Sequence, residues 1–476
     1  MALGIFSVSL WQPWLERDPK QVALNHAGQT LTWQALDSQV AHYAKALREQ
    51  GVRSGEVVTL VGKNHLPTVL WFLACTQVGA LCAFVAPQPL ARLQEKLATL
   101  YAEQSPKHLW LAPSCTLSEE EITALNAHRL SLPDERDESV GGEKVSSQFS
   151  CEQLATLIFT SGSTGTPKAV THTHQQHLAS ARGLLNKFAF TESDSWLLSL
   201  PLYHISGVAI LYRWLAVGAT LKIGTGDLQN DIAGVTHASL VPTQLKRLLD
   251  GRSRLTLKRV LLGGSHIPVE LAQMAATRGI DTWLGYGMTE AASTVTAKRV
   301  DGLAGNGELL DHRELRLVDG RIFIAGKTLA QGYYRQGQLV PLTNEQGWFD
   351  SKDLGRWQGN NLLIDGRADN LFISGGENVH CEEIEAVLNQ HPHVQVAIVI
   401  PVQDSEFGAR PVAVIRSEAE WCQAIGDTWC QGKLEKFKWP IMYFLLPDAL
   451  LDGGIKVSRA AVKAWLAANQ TQFTPL

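Results

Sequence analysis

The sequence predicts an α/β protein, and three observations carry that prediction. Short apolar runs alternate with helix-patterned segments through most of the chain, the pattern of largely parallel sheets covered by helices. From about residue 305 to residue 366 the character shifts to short strands and many turns, a small β-rich piece. Beyond Arg367 a compact unit of helix, strand and helix follows, an α+β arrangement. A length of 476 residues, more than one core needs, agrees with two or more domains.

Taken in order, LTWQALDSQVAHYAKALREQG (31–51) and HLPTVLWFLACTQVGA (65–80) read as helices, with EVVTLVG (56–62) as a strand between them. ATLIFTS (155–161), ATLKIG (219–224), KRVLLGG (258–264) and AIVIPV (397–402) are further apolar runs of strand length. ELRLVDGRIFIAG (314–326) and GNNLLIDGRADN (359–370) supply the turn-rich strands. EEIEAVLNQH (382–391) and SRAAVKAWLAANQ (458–470) read as the late helices. The cut falls at Gly366-Arg367-Ala368-Asp369, where a glycine and turn-forming residues suit a hinge. That gives a large N-terminal domain over 1–366, a hinge at 367–369 and a C-terminal domain over 370–476.

Apolar residues make up 45% and charged residues 18%, an ordinary folded composition. A net charge of -4 offers no basic field for nucleic acid, so an anionic ligand must be held by local groups. Seven cysteines, at 75, 82, 115, 151, 381, 422 and 430, form no C-x-x-C pair, which favours reduced thiols in the cytosol over disulfides or a zinc site. The opening MALGIFSVSLWQPWLERD has no basic n-region and does not read as a signal peptide. The greasiest stretch, Val208 to Leu221, carries Arg213 and is no membrane span. A cytoplasmic protein without membrane insertion is expected, with self-association left open.

Residues 160–168 read TSGSTGTPK. Strand ATLIF precedes them and the helix-patterned HTHQQHLASARGLLNKF follows. A glycine-rich loop between strand and helix presents backbone N–H groups to phosphate, and hydroxyls and a lysine add donors and charge. The spacing is not G-x-x-x-x-G-K-[ST], and no G-x-G-x-x-G follows a strand, so neither a Walker site nor a dinucleotide site is expected. A polar surface turn is the weaker alternative for so many hydroxyls.

TSGSTGTPK resembles the phosphate signature of the adenylate-forming superfamily of acyl-CoA synthetases, luciferases and adenylation domains. Further motifs occur in the family's order: LPLYHISG (200–207), GYGMTE (285–290), WFDSKDLG (348–355), GRADNLFISGGENVHCEEIE (366–385) and GGIKVSR (453–459). The resemblance covers nearly the whole chain. It implies a large domain of doubly wound mixed and parallel sheets, a mobile C-terminal domain, and ATP, Mg²⁺ and CoA as the small-molecule partners. An acid attacks the α-phosphate of ATP, pyrophosphate leaves, and a thiol then takes the acyl group from AMP.

By that resemblance Thr160, Ser161, Gly162, Ser163, Thr164, Gly165 and Lys168 hold the departing phosphates. Glu290 binds the magnesium and Thr289 donates to the α-phosphate. Gly264, Ser265 and His266 form the adenine slot with Gly285, Tyr286, Gly287 and Met288. Asp353 and Arg367 take the ribose, and Lys456 neutralises charge at the carboxylate and α-phosphate. Asp369 is the pivot, and Gly375 and Gly376 line the passage of the pantetheine arm. Two departures stand out: Lys352 where the family has glycine, and Cys381 where it has proline, read as a buried small residue.

HISGVAILYRWLAVGA (204–219) has helical spacing and an apolar body interrupted by Arg213. A buried arginine needs a partner. A core acid, a reach to solvent and a second carboxylate on the substrate are all open from spacing alone. SLPLYHISGVAILYRWL, HASLVPTQLKRLL, VLLGGSHIPVEL and GYGMTEAAST resemble the o-succinylbenzoate–CoA ligases of menaquinone synthesis. That likeness implies that Arg213 anchors the aromatic carboxylate, that His204 lines the succinyl end, and that Ser293 and Thr294 face the ring and ketone. Another acid on the same fold, an adenylation protein loading a carrier, and a non-catalytic binder are the alternatives. HTHQQH (172–177) invites a metal reading, but no nearby acid or cysteine completes a shell, and helix-surface histidines are expected.

Overall fold

The computed structural model describes residues 9–133, 149–160, 167–251, 254–263, 267–452 and 456–469. The chain forms two compact units. The first runs to Glu314 and takes in Ile324–Phe349; the second holds Leu315–Phe323 and the chain from Asp350 onward.

Two large sheets build the first unit. One has eight strands, ordered Gln338–Val340, Gly332–Arg335, Lys168–Thr173, Leu154–Thr160, Leu81–Val85, Val57–Val61, His108–Leu111 and His128–Arg129. Its pairings are parallel from Leu154–Thr160 to the His128 edge and antiparallel at the other end. The other has nine, ordered Glu308–Leu309, Ser293–Arg299, Asp281–Met288, Arg259–Leu262, His237–Leu240, Ser195–Leu198, Thr220–Ile223, Val22–His26 and Gln29–Thr32. Its central pairings are parallel and its outer ones antiparallel.

The strands read as continuous apolar runs because both faces are covered. In Val57–Val61 the side chains of Val58 and Leu60 enter one core, and those of Val57 and Val61 another. Trp196 and Leu198 share the first of these cores, while Leu197 faces a third. The shared core therefore lies between the sheets and is filled by helices Trp33–Glu49, Leu66–Val78, His174–Leu185 and Ile205–Val217. Helix Ile205–Val217 is apolar on all sides because it has no solvent face to supply. Its one charge, Arg213, is carried into that core with it.

In the second unit Glu377–His380, Leu371–Ser374, Gly408–Ser417 and Val394–Asp404 form a sheet, with Tyr443–Leu445 added parallel to Gly408–Ser417. Ala413 and Ile415 face the core under helix Cys381–Leu388; Val412 and Val414 face the core under helix Arg459–Asn469. The turn-rich stretch yields a four-stranded sheet ordered Arg313–Val318, Arg321–Gly326, Phe349–Gln358 and Asn361–Arg367. Among the described residues no helix is long and apolar enough to cross a membrane. Cys381 is fully buried, as expected, and burial pushes its thiol up to about 12.

Two sequence expectations are corrected here. The phosphate-type loop does not run into a helix: the chain returns through the antiparallel strand Lys168–Thr173 before helix His174–Leu185 begins. Nor are the histidines of HTHQQH on a surface. His172, on strand Lys168–Thr173, and His174 and His177, on the helix, are all buried, because the helix lies in the covered layer between sheets and the His172 ring packs against His177. His177 Nε2 lies 2.7 Å from the Thr156 hydroxyl and His174 Nδ1 2.8 Å from that of Tyr212. The His177 ring stacks on Tyr212 with centroids 4.4 Å apart. Burial lowers His172 and His174 to about 3 and holds His177 well below its usual value.

These three rings are neutral when folded and titrate near 6.5 when unfolded. Between those values the unfolded chain binds more protons, so stability falls as pH is lowered through 6.5. Urea unfolding between pH 7 and pH 5 should show this loss, and His172→Leu should flatten the slope by about 1 kcal/mol per pH unit across that range. An unchanged slope in that variant would mean that His172 is not held neutral.

Candidate functional site

The expected residues divide between the two units. In the first, Thr160 and Lys168 are cross-strand partners at the loop end of their hairpin; Ser161, Gly162, Ser163, Thr164 and Gly165 lie outside the described residues, as do Gly264, Ser265 and His266. Lys168 Nζ stands 5.2 Å from the ring centroid of Tyr333, on the adjacent strand Gly332–Arg335. The Tyr333 hydroxyl donates to Glu290 Oε1 at 3.2 Å. Burial and the neighbouring Glu290 carboxylate push that hydroxyl up. One tyrosine thus joins the lysine and the carboxylate that the sequence had named separately. No local pattern in QGYYR marked it; only strand pairing brings it there.

Glu290 lies in the 3₁₀ turn Thr289–Ala291, where Ala330 N donates to the Glu290 carbonyl at 2.8 Å. The turn follows strand Asp281–Met288, which pairs with Ser293–Arg299 across a bulge at Tyr286/Gly287. The glycines of GYGMTE are demanded by this pairing. A Cβ on Gly287 would lie 2.0 Å from the Ser293 carbonyl, and one on Gly285 would lie 2.2 Å from that of Thr296. Ala292 and Ser293 then take left-handed backbone angles, φ 52 and φ 96, unusual for residues with side chains and a form of strain that collects at functional sites.

Helix Ile205–Val217 packs on helix His174–Leu185 and on strand Ser293–Arg299. It brings His204, at its N-cap, and Arg213 into the same unit as the buried pair Ser293 and Thr294. Arg213 is 2% exposed, so it does not reach solvent. Among the described residues no carboxylate pairs with it. Its guanidinium lies 5.2 Å from the Trp196 ring centroid, and Nε has no hydrogen-bond partner. Burial, and Arg313 nearby, lower it to about 9. Of the alternatives open from the sequence, solvent reach is removed, and no core acid is found among the described residues.

Among the described residues no cluster of three or more His, Cys, Asp or Glu is suited to holding a metal ion. A single hard oxygen donor such as Glu290, completed by phosphate oxygens, fits magnesium.

In the second unit Asp353 and Arg367 face each other across paired strands. Arg367 donates from Nη1 to Asp353 Oδ1 at 3.0 Å, and from Nε and Nη2 to the two oxygens of Asp369 at 2.9 and 3.1 Å. Burial would raise Asp369, but the Arg367 fork holds its carboxyl below the usual range. Lys352 has φ 61, the left-handed conformation for which glycine is the natural choice; this accounts for the family's glycine at this position, and the lysine of this chain holds that conformation at a cost. Gly375 and Gly376, φ 60 and φ 90, form the two-residue hairpin between Leu371–Ser374 and Glu377–His380, a turn that itself requires glycine-like angles. Lys456 begins the short strand Lys456–Val457, whose backbone pairs with Leu451–Asp452.

A profile of the AMP-binding enzyme family matches residues 11–334. The 2-succinylbenzoate–CoA ligase of Salmonella typhimurium is 43% identical over 468 residues, spanning 96% of this chain and 98% of that protein. An arginine-to-lysine variant of Escherichia coli MenE, solved with bound OSB-AMS, matches with a TM-score of 0.84 and 40% identity over 97% of this chain and 99% of that one. The o-succinylbenzoate CoA synthetase MenE of Bacillus subtilis, solved with the acyl-adenylate intermediate OSB-AMP, matches with a TM-score of 0.83 and 26% identity over 96% and 98%. That protein has also been solved with ATP and a magnesium ion.

An uncompensated guanidinium in a core burdens the ligand-free fold. Arg213→Met, of similar length, should stabilise the ligand-free protein by about 1–4 kcal/mol in urea unfolding at neutral pH. A loss of stability in that variant would show that Arg213 is satisfied by the protein itself.

Proposed function

The chain belongs to the AMP-binding enzyme family, and from that premise we propose that it joins 2-succinylbenzoate to coenzyme A, cleaving ATP to AMP and pyrophosphate, in menaquinone biosynthesis. It is an AMP-forming acid–thiol ligase. The choice of acid is carried by Arg213: a buried planar fork with which no described carboxylate pairs suits the second carboxylate of a diacid. Ser293 and Thr294, on the strand packed against the same helix, supply polar groups for the ring and ketone, and His204 lines the succinyl end.

The first step forms a bond between a carboxylate oxygen and the α-phosphorus and breaks the bond to pyrophosphate. Both reactants are anions, so positive charge and directed donors decide the rate. Lys168 and the hydroxyls from Thr160 onward hold the leaving phosphates. Thr289 donates to the α-phosphate, and Glu290, oriented by Tyr333, holds the magnesium, whose charge offsets that of the phosphates when it is bound. Gly285, Tyr286, Gly287 and Met288, with Gly264, Ser265 and His266, receive the adenine. Asp353, fixed by Arg367, takes the ribose. Lys456 neutralises the charge that gathers between carboxylate and α-phosphate.

In the second step the CoA thiolate attacks the acyl carbon and AMP departs with the bonding electrons. The C-terminal domain, from residue 370 onward, exchanges roles here by turning about Asp369, and Gly375 and Gly376 pass the pantetheine arm. ATP and CoA are cytoplasmic substrates, and unpaired buried thiols such as Cys75, Cys82 and Cys430 keep best in that compartment.

Pyrophosphate release and CoA-thioester formation with 2-succinylbenzoate, benzoate and a fatty acid test the reading. The diacid should be strongly preferred, and Lys456→Ala should slow acyl-AMP formation by about 10²- to 10³-fold. Turnover of benzoate or the fatty acid as fast as the diacid would overturn the substrate assignment, and a Lys456→Ala enzyme of normal rate would overturn the mechanism.

A further inference from the structure

Helix His174–Leu185 contains Gly183, a poor helix former in a turn that otherwise suits alanine. A Cβ there would lie 2.1 Å from Arg313 Nη1 and 2.4 Å from the Asp311 carbonyl. The space belongs to the Arg313 guanidinium, which is 5% exposed and, like Arg213, is lowered to about 9 by burial. Arg313 Nη1 donates to the Asp311 carbonyl at 2.7 Å. Nη2 donates to the carbonyl of Ser180 at 3.0 Å and to its hydroxyl oxygen at 2.9 Å.

A guanidinium has donors only, so the Ser180 hydroxyl accepts from it and its own proton must point elsewhere. It points to the carbonyl of Ala292, 2.5 Å away. Ser180 is itself buried, so water does not compete. Ala292 is also tied on its other side, its N–H donating to the Thr289 carbonyl at 3.1 Å. The relay therefore ends on the first of the two left-handed residues, where the Thr289–Ala291 turn passes into strand Ser293–Arg299.

We propose that Arg313 and Ser180 are positioning residues for catalysis: their charge-assisted relay pins the Ala292 carbonyl and so fixes the left-handed step that aims Thr289 and Glu290 one way and Ser293 and Thr294 the other. This rests on the assignment of those four residues to the substrates. Gly183 is the opening that lets the guanidinium reach the helix backbone.

The experiment is steady-state pyrophosphate release by the full chain, with the acid and ATP varied separately. Ser180→Ala leaves Arg313 its bonds to the Ser180 and Asp311 carbonyls and should fold with a melting temperature near the wild type's. It should lose about tenfold or more in kcat/KM for the acid. Arg313→Lys should show the same loss, and the double variant no more than either single one, because one relay is broken. Ala292→Gly added to Ser180→Ala should restore part of the loss, since glycine takes φ 52 without a pin; a purely structural role for Ser180 predicts no such recovery. Wild-type kinetics in Ser180→Ala, or a loss that Ala292→Gly leaves untouched, would overturn the proposal. Absence of wild-type activity on 2-succinylbenzoate would instead sink the substrate reading, and the same variants then report on the relay through whichever acid of the panel is adenylated.

Discussion

A positive charge stands in a covered core, and among the described residues no acid pairs with it. Arg213 arrives there because the helix that carries it is apolar on every side and fills the layer between two sheets. The rest of the molecule is consistent with that charge being answered from outside. The titratable rings around it carry no charge: His172, His174 and His177 are neutral, and Tyr212 is held protonated by burial. Arg313, the other buried guanidinium, spends its hydrogen bonds on carbonyls and a hydroxyl rather than on a carboxylate. An anionic ligand entering this unit meets cations whose desolvation was completed when the chain folded, which is the condition under which a directed charge is most effective.

Much of this was legible in the residues. The strands Val57–Val61 and Leu154–Thr160 and helices Trp33–Glu49 and Cys381–Leu388 fall where the apolar patterns put them, because two-sided burial leaves long hydrophobic runs that are easy to read. Arg213 announced itself as the one charge in a greasy helix. The spacing could not say whether an acid waited elsewhere in the core, since that is a property of distant segments.

The misreadings have the same physical origin. HTHQQH looked like a surface because histidine is polar, yet a helix between two sheets has no surface, and Thr156 and Tyr212 supply its hydrogen bonds from far along the chain. The strand Lys168–Thr173 was not read as one, and its last two residues, His172 and Thr173, were given to the following helix pattern, since six residues paired on both sides show no alternation that marks a strand. Tyr333 was missed because only sheet pairing places it beside Lys168 and Glu290. Gly183 was a signal in plain view, a glycine inside a helix, whose meaning required Arg313 from 130 residues later.

The central claim is that the second carboxylate of the acid, and nothing in the protein, answers Arg213. Calorimetric binding of 2-succinylbenzoate should be compared with that of the same keto acid lacking the ring carboxylate, in wild type and in Arg213→Met. The account predicts a preference of about tenfold or more for the diacid in the wild type and its disappearance in the variant. A preference that survives the loss of the guanidinium would contradict it.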